Sequence, residues 1–229
     1  MLGHLLVLPL LSTLVNGFWL GSGTCPPSGY DSMRNFEALD FFSGTWYSVK
    51  QTEVPYQPAR QLFCVAADYT VEKTWFCQLF GCDNKQVAVY NRAKEGVNGP
   101  TIDINFTGYI PNPADPSKVF VGLPIGSFIA SFFPGNYWVV AGGKYSDLKR
   151  RSTSGREETD RVYDWAVITA GAPKTESSPG RCLPDFGFWL FARDPLPDDA
   201  IISKIEKVAY NLGLDTTKLI KVDHQGCTY

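Results

Sequence analysis

Eight short strand-like runs, separated by turn residues, are the feature that most limits the folds open to this chain. Gly, Pro, Asn or Asp occupies most of the gaps between the runs. Many short strands with such turn signals are typical of a β-sandwich or a β-barrel. The 229 residues suffice for one all-β domain with its own core. The runs cover residues 44–53, 61–72, 85–92, 101–109, 117–122, 137–145, 162–170 and 187–193.

The pattern changes after Pro197, where apolar residues recur at helical spacing and stop at Gly213. This spacing predicts one amphipathic helix after the strands. A last short strand is expected over 218–222, and one helical turn is expected over 35–42, before the first strand. The residues that give the helical period are Ile201, Ile202, Ile205, Val208, Ala209 and Leu212.

Gly44 and Trp46 open the first run, and Arg193 ends the eighth. A tryptophan brings about 150–250 Å² of apolar surface that must be covered, and an arginine can stack on an indole face. If the strands alternate up and down, the first begins and the eighth ends at the same end of the barrel. We therefore predict that Trp46 and Arg193 meet and close that end.

Gly44-x-Trp46, the eight strands, the helix and the closing strand together resemble the lipocalins, in particular the apolipoprotein D type and the bacterial and plant outer type. Tyr137-Trp138-Val139-Val140 and Phe191-Ala192-Arg193-Asp194-Pro195 are similar local runs. The resemblance implies an all-β fold, an eight-stranded antiparallel up-and-down barrel with one C-terminal helix packed outside. Residues 147–160 and 171–185 depart from it, because these connections are longer and more polar than the family's, and the ligand's identity is not transferred.

Six cysteines, an even number, favour disulfides, and sequence alone leaves fifteen pairings open. A zinc site is disfavoured because the chain has no two Cys-x-x-Cys pairs and few histidines, and we predict no metal and no cofactor. The lipocalin resemblance implies a scheme of pairs. It joins Cys25 to Cys182 and Cys64 to Cys227, and it leaves Cys77 with Cys82.

Residues 1–17 are apolar and end in Val15-Asn16-Gly17, a pattern typical of a signal peptide. We expect residues 18–229 to form a single lipocalin domain that is secreted. A Phe directly after the cleavage point also resembles algal plastid leaders, but the following residues lack the basic character of a transit peptide.

Alternation assigns inner and outer faces to the strands. Ile102, Ile104 and Phe106 share one face of their run, whereas Asn105 lies on the other and begins an Asn-Phe-Thr glycosylation sequon, which must point outward. Each apolar residue alone is better explained by core packing. Taken together, and with the open lumen that the resemblance implies, they predict a pocket for one small hydrophobic ligand. The residues expected to bind it are Ile102, Ile104, Phe106, Trp165, Trp189 and Phe191.

The resemblance implies binding and transport of a fatty acid, sterol, retinoid, carotenoid or bilin. The net charge of −2 gives no reason to expect a nucleic-acid partner. Residues 123–136 are unusually apolar for a loop at the barrel mouth. They are expected to form a lid, a segment that contacts a membrane surface, or an extended strand pair.

An enzyme is the alternative, since the segment 191–202 resembles the lipocalin domain of violaxanthin de-epoxidase. Epoxide chemistry needs a carboxylate poised to donate a proton, and Asp68 and Asp164 are the strand carboxylates available. Ordinary solvated or paired carboxylates explain both residues more simply. The cysteine-rich and acidic flanking domains of those enzymes are absent, so we predict a binding protein.

Overall fold

The computed structural model describes residues 24–73, 85–123, 135–148 and 161–229. The predicted signal segment 1–17, Cys77, Cys82 and residues 124–134 of the predicted mouth segment lie outside them. The strands are β1 (Gly44–Gln51), β2 (Phe63–Lys73), β3 (Lys85–Lys94), β4 (Thr101–Tyr109), β5 (Lys118–Gly122), β6 (Gly135–Gly143), β7 (Trp165–Thr169), β8 (Thr175–Ser178), β9 (Arg181–Leu183), β10 (Phe188–Ala192) and β11 (Ile220–Lys221). The helices are α1 (Ala38–Phe41), α2 (Tyr145–Leu148) and α3 (Asp199–Asn211).

Strands β1 to β7 and β10 form a closed antiparallel barrel in which each strand pairs with the next. β10 closes the barrel by pairing with β1, with Tyr47 opposite Ala192 and Gln51 opposite Trp189. The predicted eight-stranded up-and-down barrel is therefore confirmed. Its strands lie close to the eight sequence runs because the alternating apolar residues that define those runs are the residues that the barrel buries.

Helix α3 packs on the outer wall of the barrel, as expected. Its apolar stripe, including Ile201, Ile205 and Ala209, forms a cluster with Val167 and Leu190 of β7 and β10. Fully burying an Ile or Leu side chain stabilises a fold by about 1.5–3 kcal/mol. Gly213 follows the helix with φ +84°, a conformation that suits glycine and turns the chain back toward the barrel.

Two long-range disulfides tie the terminal segments to the rest of the fold, one at the β8–β9 hairpin and one at barrel strand β2. Cys25 is bonded to Cys182, and Cys64 is bonded to Cys227. These are the two long-range pairs that the lipocalin resemblance implies. Each closes a loop of more than 150 residues, so the chain-entropy argument predicts a large stabilisation by each bond.

The hairpin formed by β8 and β9 was not expected, because the sequence analysis treats residues 171–185 as a polar connection. Thr175 pairs with Leu183, and Ser178 pairs with Arg181. Every residue of β8 is exposed, so the strand has no apolar face for sequence alternation to reveal. Cys182 secures β9 through its disulfide and through a bridge to Leu214.

Candidate functional site

One end of the barrel is closed by Trp46 and Arg193. The Arg193 guanidinium lies 3.9 Å from the centre of the Trp46 ring. Arg193 Nη1 donates to the carbonyl oxygens of Ser43 and Thr45, at 2.7 Å and 2.9 Å. Its Nη2 donates to the carbonyl oxygens of Asp40 and Phe41, at 3.0 Å and 3.2 Å. Arg193 therefore holds β1 and helix α1 together at the barrel floor.

Aromatic residues fill the space behind this contact. Phe36, Phe41 and Phe42 pack on one another, and the Trp46 Nε1 donates to the Phe41 carbonyl at 2.8 Å. Burial, with the nearby charge of Arg161, lowers the pKa of Arg193 to about 10. The guanidinium thus stays charged at neutral pH. The helical turn expected before β1 is present as α1, and its Phe41 packs on Trp46 at this end of the barrel.

The barrel interior contains a cavity of about 480 Å³ above this floor. The volume lies within the range of about 300–1,000 Å³ that is usual for small-molecule sites. Asn136 and Phe186 line it at the opposite end, and the Phe186 side chain is 70% exposed. The predicted site residues found in the cavity wall are Ile102, Ile104, Phe106, Trp189 and Phe191.

Trp165 is a correction to the predicted site. It packs in the outer cluster with helix α3, and its Nε1 donates to the Lys144 carbonyl at 3.0 Å. The inward residues of β7 are Ala166 and Ile168. Because faces alternate along a strand, Trp165 and Val167 point outward, and Trp165 does not line the cavity.

Several further cavity residues were not singled out from the sequence. Tyr137 stacks on Trp189 with ring centres 6.4 Å apart, and Tyr56 contacts Phe106 edge to face at 5.7 Å. Tyr137 lies in β6, where the same alternation, read across all strands, could have found it; Tyr56 lies in the connection between β1 and β2, where alternation gives no signal. The other apolar residues of this kind are Val87, Val89, Val119 and Val121.

The tyrosines of the cavity are uncharged. Tyr69 and Tyr137 share a hydrogen bond of 3.0 Å between their hydroxyl oxygens. Burial raises the pKa of both phenols well above the usual value, and burial raises the pKa of Tyr56 to about 12. These side chains therefore offer neutral hydroxyl groups to a bound molecule at neutral pH.

Three polar side chains interrupt the apolar wall on one side. Ser48 and Gln51 of β1 line the cavity and are 1% and 0% exposed. Gln57, from the following loop, accepts a hydrogen bond of 2.9 Å from Gln51 Nε2. The register of β1 against β10 shifts between Ser48 and Lys50, and this bulge turns Ser48 and Gln51 toward the same side.

The two strand carboxylates considered for catalysis do not line the cavity. Asp68 pairs with Arg92 at 2.5 Å and accepts a short hydrogen bond from Thr45. Asp164 accepts from the Tyr145 N–H at 3.0 Å, in the connection before β7. Within the described residues, no group of three or more His, Cys, Asp or Glu side chains is placed to hold a metal.

Asn105 is exposed on the outer face of β4, opposite Tyr90 of β3. This placement leaves room for a glycan. In the described part of the chain, no helix has the length and apolar character needed to cross a membrane.

Among known proteins, several solved structures have a fold similar to that of this chain. No family model matches the chain, and no curated protein matches it significantly. Apocrustacyanin C2 is similar with a TM-score of 0.50 and 18% identity, over 83% of this chain and 81% of that chain. Lobster apocrustacyanin A1 gives a TM-score of 0.48 and 20% identity over 80% and 77% of the two chains. The allergen Per a 4 from cockroaches gives a TM-score of 0.49 and 16% identity, over 86% of this chain and 93% of that chain. The closed barrel with its outer helix, like that of apocrustacyanin C2, is the lipocalin fold.

Proposed function

We propose that this protein binds one small hydrophobic molecule in the barrel cavity and transports it outside the cell. The observation that carries this proposal is the cavity itself, which has a packed floor, a largely apolar wall and access at the opposite end. An eight-stranded barrel has room either for packed side chains or for one small ligand. The volume of about 480 Å³ supports the second case.

The free energy of binding comes from the apolar surface that the ligand and the cavity wall bury against each other. Each Å² of apolar surface removed from water contributes about 25 cal/mol. The Trp189 and Tyr137 rings stack on each other and together present apolar surface that suits a planar or elongated molecule. Candidate ligands are a fatty acid, sterol, retinoid, carotenoid or bilin.

The alternative function is a lipocalin-type enzyme acting on a lipid or xanthophyll. It would need a proton donor or base within reach of the bound molecule. Among the described residues that line the cavity there is no Asp, Glu or His. This composition supports binding rather than acid–base catalysis.

Several features support a secreted protein. Disulfides persist in oxidising compartments, and in the described part of this chain two long-range disulfides join the terminal segments to the rest of the fold. We propose residues 1–17 as a signal peptide and residues 18–229 as the mature domain. The apolipoprotein D type stays a proposal that rests on the sequence resemblance. Use of the Asn105 sequon and membrane contact by 123–136 stay predictions.

The proposal is tested by titration with Nile red, a neutral dye whose emission rises in apolar surroundings. The Ile104→Trp variant places a larger side chain in the cavity, so we expect it to weaken dye binding at least tenfold. Asp103→Trp is the matched control, because Asp103 is the exposed neighbour on the outer face of β4. It should bind the dye like the unchanged protein.

One dye molecule is expected per chain. If Ile104→Trp and Asp103→Trp both bind Nile red with the affinity of the unchanged protein, the dye binds on the surface. That result would remove the support for a cavity ligand. Thermal unfolding of both variants shows whether the barrel still forms.

A further inference from the structure

Two oxygen atoms in the cavity wall have no hydrogen-bond partner among the described residues. They are Ser48 Oγ and Gln51 Oε1, both on β1 and both buried. A buried polar atom without a partner costs about 1–3 kcal/mol. Both residues line the cavity, so a bound molecule is the group placed to supply the missing partner.

The chemistry of Gln51 fixes which partner it needs. Its Nε2 contacts the Thr52 carbonyl oxygen at 3.5 Å and donates to Gln57 Oε1 at 2.9 Å. A carbonyl oxygen can only accept, so the atom facing Thr52 must be the amide nitrogen. The amide oxygen of Gln51 is therefore the unpartnered atom, and it requires a donor. The Ser48 hydroxyl can donate to an acceptor on the same molecule.

Among the described residues, the cavity lining carries no charge that lacks a partner of opposite sign. Gln57, Gln61 and Asn136 are polar lining residues near the mouth, and all three are neutral amides. Arg92 is a cation among the lining residues; its Nη2 is paired with Asp68, which neutralises its charge, and its Nε has no hydrogen-bond partner among the described residues. A carboxylate in the cavity would be desolvated without a free counter-ion.

We infer that Ser48 and Gln51 form a polar anchor for a neutral ligand that carries a hydroxyl group, in preference to a carboxylic acid. The ligand O–H donates to Gln51 Oε1, and the ligand oxygen accepts from Ser48. This inference rests on the proposed function. Within the candidate ligands it favours an alcohol, such as a sterol or a retinoid alcohol, over a fatty acid.

The test compares three retinoids that differ only at one end: retinol, which donates and accepts; retinal, which only accepts; and retinoate, which is charged. Each is assayed by displacement of Nile red at pH 7.5. Retinol should displace the dye at a concentration about tenfold lower than retinal, since one hydrogen bond to a buried acceptor is gained. Retinoate should be weaker than both.

The variant Gln51→Leu should bind retinol and retinal equally. Ser48→Ala should weaken the binding of both ligands and keep the preference for retinol, because the oxygen of either ligand accepts from Ser48. Gln225→Leu, on an exposed residue of the C-terminal segment, is the matched control and should keep the preference for retinol. Nile red binding by each variant, compared with the unchanged protein, reports that the cavity is intact.

Equal binding of retinol and retinal by the unchanged protein would overturn the anchor while leaving the proposed function standing. A preference that survives Gln51→Leu would do the same. If Nile red and all three retinoids fail to bind, the proposed function itself fails, and the anchor fails with it.

Discussion

Replacing Arg193 with methionine tests the closed end of the barrel, because methionine keeps the length of the stem and removes the charge and the donors. Arg193 makes four hydrogen bonds to carbonyl oxygens and covers the Trp46 ring. Hydrogen bonds to a charged group are worth about 1.5–3 kcal/mol each. The four share one guanidinium and do not add fully, so we count the two shorter ones, at Nη1. With a cation–π contact of about 1 kcal/mol, the expected loss in free energy of unfolding is about 4–7 kcal/mol.

Urea unfolding, followed by tryptophan fluorescence with the disulfides intact, measures this loss. The emission of the native state should also shift to longer wavelength, since the Trp46 face loses its cover. Arg60→Met is the matched control. Arg60 pairs with Glu95, but its side chain is 70% exposed, so its loss should cost less than about 1 kcal/mol. A loss below 1 kcal/mol for Arg193→Met, with unshifted emission, would refute the role given to this residue.

Two further perturbations test the C-terminal segment. Removing the second disulfide by Cys64→Ala with Cys227→Ala should lower the free energy of unfolding by about 2–5 kcal/mol, and an unchanged urea midpoint would show that the bond is not formed in the native protein. His224 donates from Nε2 to the Ser48 carbonyl, and burial lowers its pKa; below pH of about 6.5 the unfolded chain therefore takes up the proton first and stability falls. His224→Gln should remove this part of the decline between pH 7 and 5, and equal slopes for both proteins would contradict the assignment.

The strand positions could be predicted because burial of one face leaves a period of two in the sequence. The meeting of Trp46 and Arg193 followed from the same pattern, because an even number of alternating strands returns the chain to its starting end. The structure shows the expected strands and the contact between Trp46 and Arg193. The disulfide scheme had a different origin, since only the family resemblance chose among the fifteen pairings.

The polar side of the cavity could not be predicted from alternation. Ser48 and Gln51 are three residues apart, so strict alternation would place them on opposite faces of β1. The bulge between Ser48 and Lys50 brings them to the same side, and no glycine or proline marks this bulge in the sequence. Trp165 was misplaced for a related reason. An apolar outer face under a helix looks the same in sequence as an apolar inner face.

The most direct test of the account is a crystal structure of the protein soaked with retinol. We expect electron density for one retinoid inside the barrel, in contact with Trp189 and Phe106, with its hydroxyl oxygen within hydrogen-bonding distance of Gln51 Oε1. A retinoid bound only on the outer surface, with the cavity left to solvent, would contradict the claim that this barrel is a binding site for a small hydrophobic molecule.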